Sequence, residues 1–259
     1  MKTYLSKSRL LSARQCLKKL YLEIHRPELK VISTDTEAAF EIGNRVGKVA
    51  QQIYGTEEAV FIPYEGGLSN ALKKTARLVK EGPKFPIFEA TFQYDGVLVR
   101  IDALIPHESG WRIVEVKAST SVKEEYPFDC AVQSWVFQNM GYDLKGIALA
   151  HIDNSFNYEG ANNYQGLLIE KNMADEVEDL LPIVPQRVKE ARSNMAGEEP
   201  DIAVGQHCFE PYECPFVSYC WPSGTDYPIQ GLAGNKAKLA KFILEGYRDI
   251  RDVPASRLS

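Results

Sequence analysis

No run of eighteen or more apolar residues occurs in the sequence, which excludes a membrane-spanning helix. A surplus of basic charge is missing too: 30 Lys and Arg stand against 35 Asp and Glu, for a net charge of -5. The chain is therefore not coated in basic surface for nucleic acid, although a local groove stays open. Lys7, Arg9, Arg14, Lys18 and Lys19, or Lys73, Lys74, Arg77 and Lys80, could line one, and solvated helix faces are the simpler reading of each cluster. The opening MKTYLSKSRLLSARQCLKKLYLE is broken by polar residues too often to be a signal-peptide core, so a cytoplasmic location is expected. Internal repeats and low-complexity stretches are absent. What remains, 259 residues of which 44% are hydrophobic, buries a sizeable core as one larger domain, alone or with an appendage.

From Val97 to Lys117, VLVRIDALIPHESGWRIVEVK reads as two apolar strands joined by a short turn. On the second, Trp111, Ile113, Glu115 and Lys117 alternate with Arg112, Val114 and Val116, so the period of two puts Glu115 and Lys117 on one face. Asp102 joins them if the register sets it opposite Glu115 or one pair away; a slip of one residue separates them. Two carboxylates and a lysine on one face suit a hard divalent cation, which takes oxygen ligands, activates water and offsets charge building on a phosphate. The Val116 carbonyl is a further candidate ligand. Glu89, on the preceding strand, is either a third acid at the site or an edge-strand charge. Asp with Glu-x-Lys is also a cheap pattern for a strand-surface ion pair, so the rest of the chain has to decide.

Ser6 or Ser8 caps a helix expected from Arg9 to about Glu23, with Cys16 inside it. A second helix starts at Thr34 or Asp35, with Glu37 completing a capping box, and ends before Gly55. On it Gly43 and Gly47 make a smooth stripe for close packing or a phosphate, and Glu41 lies near that stripe as a candidate metal ligand. A third helix follows Ser69 and stops at Gly82-Pro83. IFEATFQY, Asp95-Gly96 and VLVRIDALI form a hairpin. Pro127 opens a helix closed by Gly141, in which Asp129, Gln133 and Phe137 share a stripe beside Val132, Val136 and Met140. That stripe faces either solvent or the acidic face, where it would lay the Gln133 amide over the site. KGIALAHID reads as a buried strand, NYEG to YQGLLIE as a strand pair, and Met173 to Met195 as a helix bent at Pro182 or Pro185. A linker begins near Ala196. This order points to an α/β sandwich with a mixed sheet and helices on its faces.

HCFEPYECPFVSYCW spaces Cys208, Cys214 and Cys220 evenly. Outside an oxidising compartment, cysteines read as metal ligands or free thiols before disulfides. Thiolates select zinc or an iron-sulfur cluster, and the close cysteine pairs usual for structural zinc are missing, which favours a cluster on four cysteines. Cys16, Cys130 and His207 are the candidates for a fourth ligand. Cys130 reads better as a buried free thiol and Cys16 as the ligand, which would tie the first helix to the last loop.

A lone cysteine near the start, Asp102, Glu115-Val116-Lys117, Gln133 with Phe137 four on, and three late cysteines together resemble a known group: the RecB-like branch of the PD-(D/E)xK nuclease superfamily with an iron-sulfur cluster. The branch includes the CRISPR-associated RecB-like exonucleases and the AddB nuclease domain. SKSRLLSARQCLKKLYLE is similar to its opening helix and PYECPFVSYCW to its cysteine loop; the likeness covers roughly residues 5 to 222. The resemblance implies a restriction-endonuclease-like mixed sheet flanked by helices, with an iron-sulfur cluster joining N- and C-terminal segments. Residues 1–222 would be the nuclease domain and 223–259 a small helical appendage or lead-out to a further domain.

Its implied activity is a Mg²⁺- or Mn²⁺-dependent deoxyribonuclease, expected as an exonuclease on single-stranded ends. Asp102 and Glu115 would ligate the metal, Lys117 would orient the attacking water, and Gln133 matches the glutamine of a Q-x-x-x-Y motif. A [4Fe-4S] cluster would sit on Cys16, Cys208, Cys214 and Cys220. Gly47 stands where many relatives carry histidine, Phe137 replaces tyrosine, and the cysteine spacing is wider than the C-x-x-C pair of the CRISPR relatives. Glu41 or Glu89 is the candidate substitute for the histidine. These departures support a second expectation, a catalytically lapsed iron-sulfur module that binds nucleic acid or a partner. The tail GLAGNKAKLAKFILEGYRDIRDVPASRLS resembles the lead-out of a bacterial family in which a second, RNase H-like nuclease domain follows. Expected partners are DNA with single-stranded or free ends and an additional nuclease or helicase domain or subunit, with no membrane. Lys117→Ala is expected to abolish cleavage and spare the fold.

Overall fold

The computed structural model describes residues 4–221, 225–232 and 236–258. In chain order they form β1 (Leu5–Ser6), α1 (Lys7–Gln15), α2 (Leu17–His25), α3 (Thr34–Tyr54), β2 (Val60–Phe61), α4 (Leu68–Lys80), β3 (Ile87–Tyr94) and β4 (Val97–His107). Then follow β5 (Gly110–Lys117), α5 (Tyr126–Asn139), β6 (Leu144–Ile152), β7 (Leu168–Asn172), α6 (Ala174–Leu180), α7 (Val184–Ala196), α8 (Val217–Cys220) and α9 (Lys236–Leu244). Among the described residues no helix is long and apolar enough to cross a membrane. Two compact units divide the chain: Met1–Ser8 with Thr34–Lys189, and Arg9–Ser33 with Glu190–Ser259. The boundary expected between residues 222 and 223 lies outside the described residues.

The first unit is a seven-stranded mixed sheet flanked by helices, in the order β2-β3-β4-β5-β6-β7, with β1 pairing parallel to the start of β4. Asp95 and Gly96 take φ of 42° and 67°, the left-handed pair that a tight hairpin needs to turn β3 into β4. β5 and β6 run parallel, so the chain must cross over between them, and α5 is that crossover. Strand alternation separates two faces. On one, Val114 packs with Phe88, Ala103 and Ala150 against Tyr54 at the end of α3. On the other lie Glu115 and Lys117, covered by α5. Asp129, Gln133 and Phe137 are all buried, so the polar stripe of α5 faces the acids and not solvent.

Only β7 forms from the expected strand pair. Between Asp153 and Gln165 the backbone N–H groups of Ser155, Asn162 and Gln165 donate to the side chains of Asp153, Tyr158 and Asn163. Side-chain turns of this kind take up the donors that a strand would use. Farther on, the bend between α6 and α7 falls at the Leu181–Ile183 turn, which contains Pro182.

The second unit brings an early segment, Arg9–Ser33, together with the late one, Glu190–Ser259. The single helix expected through Cys16 is two helices, α1 and α2, because Cys16 is extended at φ -165° and ψ 123°. Neither glycine nor proline marks the break. It coincides with tertiary bonds: the Gln15 amide donates to the carbonyls of His207 and Tyr212, both at 2.7 Å. Val31 N–H donates to Pro215 at 2.9 Å, and Lys18 pairs with Glu199 at 3.0 Å. Leu22, Phe209, Phe216 and Trp221 share one core with Ile229, Leu239, Phe242, Ile243 and Val253. The helical tail is thus built into the core of the cysteine loop.

Candidate functional site

β4 pairs with β5 from His107↔Gly110 to Ala103↔Val114, and one more step on that register sets Asp102 across from Glu115. This is the register the alternation required. The ladder ends here, and the Val116 N–H donates to Asp102 Oδ2 at 2.8 Å. β3 extends the row, since Phe88↔Ala103 and Ala90↔Ile101 place Glu89 across from Asp102. Glu89 has φ 58°, a left-handed backbone that costs a non-glycine residue roughly 1–2 kcal/mol. Its carboxylate pairs with Arg100 Nη2 at 3.0 Å. No three Asp, Glu, His or Cys side chains among the described residues converge closely enough to hold one metal ion. Glu89 is still near enough for its charge to act on Asp102 and to be acted on by Glu115. Glu41 is exposed on α3, and a side chain at Gly43 or Gly47 would touch nothing within 4 Å, so close packing does not explain the glycines.

Glu115 is 2% exposed and carries three donors. Lys7 Nζ at 2.7 Å and Lys117 Nζ at 2.8 Å both reach Oε1, and the Gln133 amide donates to Oε2. Lys117 also pairs with Asp129, and its ammonium lies 4.9 Å from the centre of the Tyr126 ring. Burial alone would raise the Glu115 pKa; the charges of Lys117 and Lys7 outweigh it and hold the carboxyl well below its usual range. For Lys117, burial is likewise outweighed, by Glu115 and Asp129, and the ammonium is held above its ordinary value. Asp102 differs. Burial, with the charge of Glu115 added, pushes its carboxyl up to about 8.

Sequence patterns named Asp102, Glu115, Lys117 and Gln133 as site residues, Asp129 only as a member of the stripe it shares with Gln133, and Lys7 only as part of a basic cluster. Nothing in the sequence tied Lys7 to Glu115, because their contact spans 108 positions.

The Asp102 carboxyl is expected to make the stability of the chain sensitive to pH. Its folded-state pKa lies above the unfolded value, so the folded chain keeps a proton that the unfolded chain releases, and stability falls as pH rises from about 4 to about 8. Asp102→Asn keeps an acceptor for Val116 and removes that slope. In EDTA at pH 8.5 the variant is expected to be more stable than wild type by up to about 5 kcal/mol, the full value of a carboxyl held at about 8 instead of about 4, with little advantage near pH 4. Equal thermal melts at both pH values would show that Asp102 is not held at a cost.

None of the five cysteines is in a disulfide. Cys16, Cys208, Cys214 and Cys220 belong to the second unit, where Cys16 contributes to the raised pKa of each of the other three. Burial is the larger cause in each case, pushing Cys214 up to about 11, while backbone hydrogen bonds at Phe216 and Gly205 favour the thiolates of Cys214 and Cys208. Cys130 is fully buried on α5, in the first unit.

No family model matches the chain. No curated protein matches it either. Among solved structures, the crystal structure of SSO0001 aligns with a TM-score of 0.43 and 13% identity, over 85% of this chain and 87% of that one. So faint a likeness carries no functional weight, and the reading below rests on the residues.

Proposed function

We propose that the chain is a Mg²⁺- or Mn²⁺-dependent deoxyribonuclease of the RecB-like PD-(D/E)xK type, an exonuclease on single-stranded DNA ends. One observation carries this reading: a buried Glu115 and a half-buried Asp102 lie across from each other on paired strands, with Lys117 and the Gln133 amide both on Glu115. Their donor set fits a hard cation. Carboxylate oxygens with an adjacent peptide carbonyl, Val116, are what Mg²⁺ and Mn²⁺ select, and an uncompensated Asp102 beside an ionised Glu115 favours a cation. When bound, that ion would polarise a phosphate oxygen and lower the pKa of water. Asp102 and Glu115 would hold it, Gln133 fixes the Glu115 rotamer, and Lys117, anchored by Asp129, orients the attacking water.

The same proposal gives the sheet a restriction-endonuclease-like role and places a [4Fe-4S] cluster on Cys16, Cys208, Cys214 and Cys220. Four free thiols within electrostatic reach, two with backbone hydrogen bonds, suit such a group. Zinc, at about 2.3 Å from each sulfur, draws its ligands onto one point; a cluster spreads them over several irons. Partners in this reading are DNA with free ends and a further nuclease or helicase domain or subunit.

A second reading, an iron-sulfur module whose catalysis has lapsed, is favoured by the exposed position of Glu41 and by the pairing of Glu89 with Arg100, the two acids that could stand in for the missing histidine. One assay separates the two. Anaerobically purified protein is incubated with end-labelled single- and double-stranded DNA and Mg²⁺, Mn²⁺ or EDTA, beside Asp102→Ala. Metal-dependent cutting of single-stranded ends, lost in the variant, is expected. A brown, folded protein that cuts nothing would leave the lapsed module standing.

A further inference from the structure

Lys7 follows β1 directly, and the pairing of Leu5 with Val97 and Ser6 with Leu98 brings it beside β4. Its Nζ and that of Lys117 share one oxygen, Glu115 Oε1, at 2.7 and 2.8 Å, while the Gln133 amide takes Oε2. A carboxylate offers about four lone-pair positions. With three filled, the last one lies on Oε2, so Glu115 can accept one divalent ion without shedding a partner and cannot bridge two. The nearby acids already have cationic partners of their own, Glu89 in Arg100 and Asp129 in Lys117. The charges agree. Asp102, Glu115 and Asp129, against Lys7 and Lys117, leave one negative charge in excess when all are ionised. One divalent ion reverses that to one positive charge, which matches the single negative charge of a phosphodiester; a second ion would overshoot.

We propose that Lys7 supplies the second positive charge of this centre, so that the site takes one divalent ion per chain and the Lys7 ammonium does the electrostatic work of a second ion. The inference rests on the reading of Asp102 and Glu115 as metal ligands. Lys7 acts through Glu115 and is a positioning residue. It draws on the carboxylate that the ion needs, and repels the ion, so its charge sets the affinity and the stoichiometry of the site.

Mn²⁺ titration of the metal-free full chain, with free ion followed by electron paramagnetic resonance, tests this on wild type, Lys7→Met, Lys7→Gln, Lys7→Arg and Asp102→Asn. Thermal melts select the variants that fold. Wild type is expected to bind one ion that Asp102→Asn loses. Lys7→Met or Lys7→Gln is expected to bind it at least about tenfold more tightly, since a like charge within a few ångström has gone. Lys7→Arg should return the affinity to the wild-type value. Two Asp102-dependent ions in wild type, or an affinity indifferent to the charge at Lys7, would overturn the role of Lys7 and leave the metal site standing. No Asp102-dependent ion at all would overturn the metal site and the role of Lys7 together.

Discussion

Lys117→Ala is expected to lose cleavage by about 10³-fold, the usual cost of removing a positioned proton-handling or charge-stabilising group, and also to lose stability. Sequence reasoning anticipated only the first effect, because the alternation of β5 shows no core volume at Lys117. In the structure this ammonium is shared by Glu115 and Asp129, each 2% exposed. Breaking a buried pair leaves an uncompensated charge and typically costs 3–5 kcal/mol. Glu115 keeps Lys7 and Gln133, so the expected loss is at the lower end, about 3 kcal/mol. Asp129 is the side chain left stranded. Asp129→Asn in the Lys117→Ala background should therefore recover about 2 kcal/mol and no cleavage. Denaturant unfolding and cleavage rates of the four proteins of that cycle separate the two roles. If the double variant is no more stable than Lys117→Ala, the ion pair is not what the lysine contributes to the fold; cleavage at the wild-type rate in Lys117→Ala would remove it from the site.

How much was legible follows from how local each constraint is. Asp102, Glu115 and Lys117 could be placed because two strands and a short turn leave few registers, and only some gather the charges on one face. α5 was half legible. Its two stripes are written in the helical period, but which stripe meets the sheet depends on the crossover from β5 to β6. Three features had no local cause to read. Strand β1 is two residues long, too short for alternation to register, and its pairing with β4 sets Lys7 beside the sheet, where it reaches Glu115. At Cys16 the helix breaks without glycine or proline, in a segment whose bonds run to His207 and Tyr212. Glu89 looked like a third acid in the row and is one by register, yet its left-handed backbone and Arg100 engage it elsewhere. A lone cysteine at a helix break, once seen, does suggest why the chain interrupts that helix: an extended residue between two helices presents its side chain differently from one inside either.

Cys16→Ala should yield a colourless protein, whereas wild type purified without oxygen should be brown, with thiolate-to-iron absorption near ~400 nm. A ligand at Cys16 and three others from Cys208 to Cys220 would close a loop of most of the chain. By the entropy arithmetic for a cross-link over such a span, opening it costs about 5 kcal/mol. That figure is an upper bound, since Gln15 and Leu22 hold the same segments together without the thiols. Both ends of the second unit should loosen at once, read by amide exchange in α2 and in α8. Cys130→Ala is the control: fully buried on α5, with burial holding its thiol above the ordinary pKa, Cys130 belongs to the other unit and its loss should leave iron content unchanged. Wild-type iron and an unchanged melt in Cys16→Ala would strike Cys16 from the ligands. A colourless wild type with one equivalent of zinc would replace the cluster with a single ion, held tetrahedrally by the four sulfurs.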